Sequence, residues 1–363
     1  MHERIVPLRE DYSFAAVCCG VMRIRSLILP LFLSSIFALA QTATPPKGAP
    51  DQLAEAQQKL EHGQAAAAIA LLQPLADANP PVKGAAHELG VAYYRTGKLT
   101  DALQAFTKAE KENPNDIESV QLHGLTLYRL GRPSDAIPYL KRVRQWMPNA
   151  DADANHVLGL CYLNSQQYDE ARKTFAEQYG VPGDSGAAYL FLGSMFMQSN
   201  LPELARNAAM QALKAQPKLP LAHFMIGEVD LFKSDMNGAL QEFEQERAIN
   251  PAYPATYDRL GDVYIHLGKY QPAQEALTKA LSLDTSSTGP FILMGKVLML
   301  RGDAKTASMY LRHAAKMDPN NYMTHALLSQ AYRKMGDEED AKREVELVSK
   351  IHAAERLSLQ PSQ

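Results

Sequence analysis

Glycine recurs through most of this chain at a nearly constant interval, at positions 90, 124, 159, 193, 227, 261 and 295, a step of 34 with one of 35. A second glycine series lies seven residues further on, at 63, 97, 131, 268, 302 and 336. Twelve residues beyond each position of the first register stands an alanine, at 68, 102, 136, 171, 205, 239, 273, 307 and 341, so the motif occurs nine times. Proline closes most units, at Pro80, Pro114, Pro148, Pro217, Pro251 and Pro319, with Pro182 one place early. A period of this length means a row of small supersecondary units. Each is too small to bury its own apolar face, so stability must come from stacking on neighbours.

Each unit holds two stretches of about 13 residues with apolar side chains at helical spacing, joined by a short glycine-containing turn. The Gly90-type and Ala102-type residues are expected to face one another where the two helices cross, since a larger side chain there would overpack the crossing. The Gly97-type residue should end the first helix in the left-handed conformation that glycine adopts cheaply. Tyr93, Phe106 and their equivalents should fill the gap between units. Pro202 and Pro272 suit the opening of second helices and Pro138 a first turn, where backbone N–H groups lack partners anyway. Pro74 falls inside a second helix. With the polar Glu55 and Lys59 at usually apolar positions, it marks the first unit as a degenerate end. Asp337 to Lys350 (DEEDAKREVELVSK) supplies a charged cap at the other.

The pattern resembles the tetratricopeptide repeat family. Unit 83–116 shows it best, with Leu89-Gly90, Tyr93, Gly97, Ala102, Phe106, Ala109 and Pro114. Unit 254–287 repeats it with Tyr257, Leu260-Gly261, Tyr264, Gly268, Ala273, Leu277 and Ala280. The other units are 49–82, 117–150, 152–185, 186–219, 220–253, 288–321 and 322–355, with Asp151 the extra residue and 356–363 a tail. The resemblance implies an all-α fold, a right-handed superhelix of nine helical hairpins with no sheet.

Ahead of the repeats, Met22 opens the stretch MRIRSLILPLFLSSIFALAQ. Arg23 and Arg25 make a basic n-region, Leu27 to Leu39 an apolar core, and Ala38-Leu39-Ala40 the small-x-small pattern of a signal-peptidase site. This resembles a bacterial Sec signal peptide with cleavage between Ala40 and Gln41, which implies a periplasmic or secreted protein. Residues 1–21 look unlike any n-region, pointing to Met22 as the start. The alternative is an uncleaved inner-membrane anchor. Against it, the apolar run is about 15 residues where a span needs ~20, and Pro30 interrupts it. Membrane contact is expected only if this segment is retained. Residues 41–50 form a Pro-rich linker. After cleavage Cys161 is the one remaining cysteine, so no intramolecular disulfide is expected.

Lys+Arg at 37 against Asp+Glu at 40 leaves a charge of −3, without the basic excess of a nucleic-acid binder. Gly183-Asp184-Ser185-Gly186 matches the tetrapeptide around the nucleophile of trypsin-like proteases. That chemistry needs a β-barrel scaffold, and here the tetrapeptide falls at a unit junction where Gly and Asp suit a turn. No H-E-x-x-H or C-x-x-C pairing occurs. His87 and His156 share a repeat position but lie two units apart, roughly 20 Å or more, too far to share one metal ion. No catalysis, cofactor, metal or small-molecule substrate is expected.

In the architecture that the resemblance implies, first helices line a concave groove that holds peptides or helices of other proteins. Carried over unit by unit, the groove has a polar and aromatic half, His87, Tyr94, Arg95, Gln121, Tyr128, Arg129, His156 and Asn164. An aromatic beside a guanidinium can stack on a side chain and pair with a carboxylate. The other half is apolar: Leu190, Met197, Leu221, Phe224, Leu231, Phe232, Ile265, Ile292 and Met299. Exposed apolar surface of that extent marks an interaction site, unless curvature buries the stripe. The Lys and Asn residues by which some family members clamp a C-terminal carboxylate are absent from the matching positions. The chain is expected to be an exported scaffold or adaptor for protein segments, or alternatively a membrane-anchored accessory factor for envelope assembly or secretion.

Overall fold

A computed structural model describes residues 48–147 and 152–358, all of whose regular structure is helical. The first hairpins pair α1 (Ala49–Glu61) with α2 (Ala65–Ala76), α3 (Ala85–Arg95) with α4 (Leu99–Glu112) and α5 (Ile117–Arg129) with α6 (Pro133–Trp146). Next come α7 (Ala152–Asn164) with α8 (Tyr168–Gln178), α9 (Gly186–Gln198) with α10 (Pro202–Ala215) and α11 (Ala222–Phe232) with α12 (Met236–Ile249). The last are α13 (Pro254–His266) with α14 (Tyr270–Leu283), α15 (Gly289–Leu300) with α16 (Ala304–Met317) and α17 (Tyr322–Met335) with α18 (Glu338–Ser358). Nine hairpins therefore stack in the register that the glycine period sets. The signal segment, its cleavage site at Ala40 and Gln41, Pro148 and Asp151 lie outside the described residues.

Every hairpin turn uses a left-handed residue. The six glycines of the second series have φ between 70° and 88°. The three units that lack this glycine place Gln166 (φ 59°), Asn200 (φ 57°) and Ser234 (φ 61°) in the same conformation. The hairpin geometry overrides the steric cost of a side chain there, roughly 1–2 kcal/mol. Gln166→Gly should accordingly stabilise the protein by about 0.5–1 kcal/mol, after allowing for the extra freedom of glycine in the unfolded chain. A rise in the urea midpoint is the readout.

The helix crossing differs from the expectation that glycine faces alanine. A Cβ on Gly159 would lie 2.4 Å from the Phe175 ring, one on Gly90 2.5 Å from Phe106, and one on Gly295 2.4 Å from Leu311. The glycine makes room for the bulky Phe106-type side chain of the second helix, which fills its own hairpin. In unit 186–219 that position is Ala209, and Met225 of the next hairpin covers Gly193 instead, its Sδ 2.5 Å from the position of an added Cβ. The nine repeated alanines are all fully buried, as close packing of the second helices demands. A second correction concerns Pro138, which stands inside α6 and not in its first turn. Pro74 is interior to α2.

Tyrosines stitch hairpins together: Tyr93 Oη donates to Gln73 Oε1 (2.5 Å) and Tyr264 Oη to Glu244 Oε1 (2.7 Å), the same two repeat positions. Glu55 and Lys59 pair with each other at 3.3 Å on α1, the first described helix. Neighbouring first helices pack directly at the joints α1/α3, α3/α5, α5/α7, α9/α11, α13/α15 and α15/α17, whereas no two second helices pack comparably. First helices therefore form the inner side of the curve. At α7/α9 and α11/α13 the helix backbones approach less closely, although their side chains still share a core.

Candidate functional site: the inner face of the first helices

The polar half of the predicted groove is largely engaged within the protein. His87 Nδ1 lies 3.0 Å from Asp116 Oδ2 and 2.8 Å from Ser119 Oγ, reaching across to the start of α5. Arg95 Nη1 donates to the Leu60 carbonyl at 2.8 Å. Arg129 rests 4.7 Å over the ring of Tyr94 and reaches the Tyr94 carbonyl at 3.5 Å. Asn164 hydrogen-bonds the side chain of Tyr128, and Lys334 Nζ donates to the Met299 carbonyl at 3.3 Å. One rule covers all four: the last residue of this inner column reaches back to the preceding hairpin. Tyr94 is thus stacked by the arginine one unit later and not by its sequence neighbour Arg95. Gln121 and His156 are half-buried, the His156 ring 5.7 Å from that of Phe175.

Asp116 caps α5, its Oδ1 accepting from Ser119 N at 3.2 Å. Burial pushes its carboxyl up, but the Ser119 hydroxyl and amide and the charge of His87 outweigh this and hold it below its ordinary value. The folded carboxyl is therefore the stronger acid. Its stabilisation is complete above the unfolded value of about 4 and is lost as pH falls through the folded one. Asp116→Asn should lower stability at neutral pH and flatten its decline below about pH 4, measured as urea midpoints across pH.

The apolar half needs correction. Ile265, Ile292 and Met299 are only 6%, 3% and 6% exposed and belong to the core between hairpins, so they cannot line an open groove. Phe224 stands edge-on to Tyr253 and tilted against Phe243, and Leu231 packs in the same cluster. Leu190 and Met197 are half-buried. Only Leu221, at 40%, and Phe232, at 56%, are well exposed. Leu221 is itself left-handed (φ 73°), and its amide donates to the buried Glu246 Oε1 at 2.8 Å.

Two features escaped the sequence reading. At the looser α7/α9 joint, Val157, Leu160 and Phe191 pack half-buried against the shared core, Leu190 is half-buried beside them, and Tyr179 stacks on Phe191 with ring centroids 4.5 Å apart. The α8 helix has 11 residues where α4, α6 and α10 have 14, and the freed chain brings Tyr179 to this joint. At the looser α11/α13 joint, Arg259 bridges to Glu228 (2.6 Å) and Asp258 (3.2 Å), and Asp262 pairs with His266 (3.4 Å). Burial pushes the Asp262 carboxyl up, but His266, Lys296 and Arg259 outweigh it and keep it below the usual range. Three inner helices carrying Glu228, Asp262 and Lys296 at one repeat position were the available signal.

Residue chemistry elsewhere is structural. Ser185 Oγ accepts from Ala188 N at 3.2 Å as the cap of α9, the turn role expected for that tetrapeptide. Burial pushes the Cys161 thiol up to about 12, so it carries no thiolate at neutral pH. His123 pairs with Glu110 at 2.6 Å beside an outer hollow whose Arg132 and Asp135 also pair. Among the described residues no three His, Cys, Asp or Glu side chains gather to hold a metal ion.

Family models of the tetratricopeptide repeat match residues 53–117, 127–178, 156–220 and 254–287. The chain is built of tetratricopeptide repeats. It is similar to bovine BBSome complex member BBS4, at 21% identity over 211 residues, covering 58% of this chain and 34% of that protein. Anaphase-promoting complex subunit 6 of Arabidopsis thaliana is 28% identical over 186 residues, covering 50% of this chain and 34% of the relative. The chain thus spans about a third of the length of each. Among solved structures it is similar to YrrB, described as a TPR protein with an unusual peptide-binding site. That likeness has 19% identity and a TM-score of 0.43, covering 53% of this chain and 97% of the other. Tetratricopeptide repeats act generally as scaffolds and adaptors rather than as catalysts.

Proposed function

We propose that this chain is an exported, non-catalytic scaffold that holds protein or peptide segments against the inner face of its tetratricopeptide repeats. The α7/α9 joint carries the reading. Val157, Leu160, Leu190 and Phe191 lie there half-buried on adjoining inner helices whose backbones approach less closely than at most other joints. Covering them with a partner's side chains would add roughly 25 cal/mol for each Å² of apolar surface removed from water. Phe232, on α11, is a second exposed apolar side chain on a first helix, at 56%.

A photo-crosslinking amino acid at Leu190 or at Phe232, in protein returned to its native cell envelope, should capture protein partners that the same probe at Lys279 on the outer α14 does not. Equal products at all three positions, or none at the inner two, would refute the reading. Leu231 is a poorer probe site because it packs with Phe224 against the Phe243 and Leu260 cluster.

Export rests on the Met22 to Ala40 segment, outside the described residues. Among the described residues no helix is long and apolar enough to cross a membrane. Mass spectrometry of protein from the native host should find an N-terminus at Gln41. A chain that retains residues 24–40 and resists carbonate extraction would instead identify the anchored accessory factor.

A further inference from the structure

Arg95 and Arg129 stand at the same repeat position on the adjacent inner helices α3 and α5. Each is fixed at one point: Arg95 by the Leu60 carbonyl, Arg129 by the carbonyl and ring of Tyr94. A guanidinium has five N–H donors, so these anchors leave most of them directed to solvent. Both side chains are exposed. Among the described residues neither has a carboxylate within the 4.0 Å reach of an ion pair. The acids of the same face are occupied otherwise, Glu88 by Gln57 Nε2 at 2.7 Å and Glu118 beside His87 at 3.7 Å. Arg259, further along the inner face, shows the contrast, since Glu228 and Asp258 already take its charge.

Orientation is the main entropic cost of an arginine contact, and here the carbonyls and the Tyr94 ring have already met part of it. We propose that Arg95 and Arg129 form a two-point reader of acidic side chains on the segment held in the groove, so that the partner is an extended peptide with paired acids beside its apolar anchors. This deepens the groove reading above and rests on it. Packed helices lie roughly 10 Å apart, and an extended chain in the polyproline II conformation advances about 3.1 Å per residue with three residues per turn, so side chains three apart share a face. Carboxylates three residues apart therefore match the two guanidiniums. Apolar side chains further along the peptide would reach the α7/α9 joint.

Lys334 makes the same backbone contact from the same column, so lysine can keep both the clasp and the charge. This separates a binding role from a purely structural one. The experiment is selection of a displayed random dodecapeptide library on the full chain, followed by fluorescence anisotropy with the synthetic winning peptide as probe. Wild type should enrich acids spaced by three next to apolar residues, and added salt should weaken the probe. Arg95→Gln with Arg129→Gln should weaken it about tenfold and remove the acid preference from a repeat selection, in protein whose helicity by circular dichroism is unchanged. Arg95→Lys with Arg129→Lys should keep most of the affinity, and Arg312→Gln on the outer α16 should change nothing. Winners without acids, or an acid preference that survives the double glutamine variant, would overturn the proposal while leaving the groove reading intact. If wild type enriches no peptide at all, the groove reading fails and this inference with it.

Discussion

Phe175→Ala is expected to destabilise the solenoid by about 4 kcal/mol, and adding Gly159→Ala to that variant should return part of the loss. Phe175 is 1% exposed and lies over Gly159, where an added Cβ would come within 2.4 Å of the ring. Alone, Gly159→Ala gains about 1 kcal/mol of helix propensity but overpacks the crossing by about 1–3 kcal/mol, a net loss. With the ring gone, the new methyl enters a cavity and both effects become favourable. Gly193→Ala is the control, because its neighbour is the flexible thioether end of Met225 and the substitution should be close to neutral. Guanidinium unfolding of wild type, the three variants and the control gives the coupling. If Gly159→Ala costs the same with and without the ring, the glycine is not there to admit it. Hydrogen exchange should show the Phe175→Ala damage concentrated in α7, α8 and their neighbours, since a solenoid distributes stability by nearest contacts.

Glu246→Ala should cost about 2–3 kcal/mol, an unusually large effect for a charged residue. Glu246 is fully buried in α12, and its two oxygens accept from the amides of Leu221 (2.8 Å) and Phe224 (3.3 Å) at the start of α11. A carboxylate at a helix N-terminus is favoured both by those orphan N–H groups and by the helix dipole. The same contact holds Leu221 in its left-handed conformation, so Leu221→Gly should cost less, or gain more, when Glu246 is intact than when it is absent. Urea midpoints of the two single variants and the double variant measure this. A loss for Glu246→Ala below about 0.5 kcal/mol, the level of an ordinary surface change, would sink the capping role.

Much of the architecture was legible because a repeat states its rules nine times. The glycine and alanine registers located eighteen helices among the described residues. The inner face was less legible. Ile265, Ile292 and Met299 carry the same repeat positions as Arg-adjacent Tyr94 and half-buried Phe224, yet they are buried. Position within a unit sets which way a side chain points, and not how closely the next hairpin approaches. Likewise Tyr94 and Arg95 looked like a pair in sequence, while the ring is taken by Arg129 thirty-five residues on.

The hairpins, their number among the described residues and their turns could be read from residue order, because each follows from local backbone preference and side-chain size within one period. Where the inner helices approach less closely, which arginines keep free donors and which apolar residues stay reachable emerged from the packed solenoid. Those depend on the spacing of neighbouring hairpins, a quantity that sums small differences in helix length and side-chain volume over residues far apart in the chain.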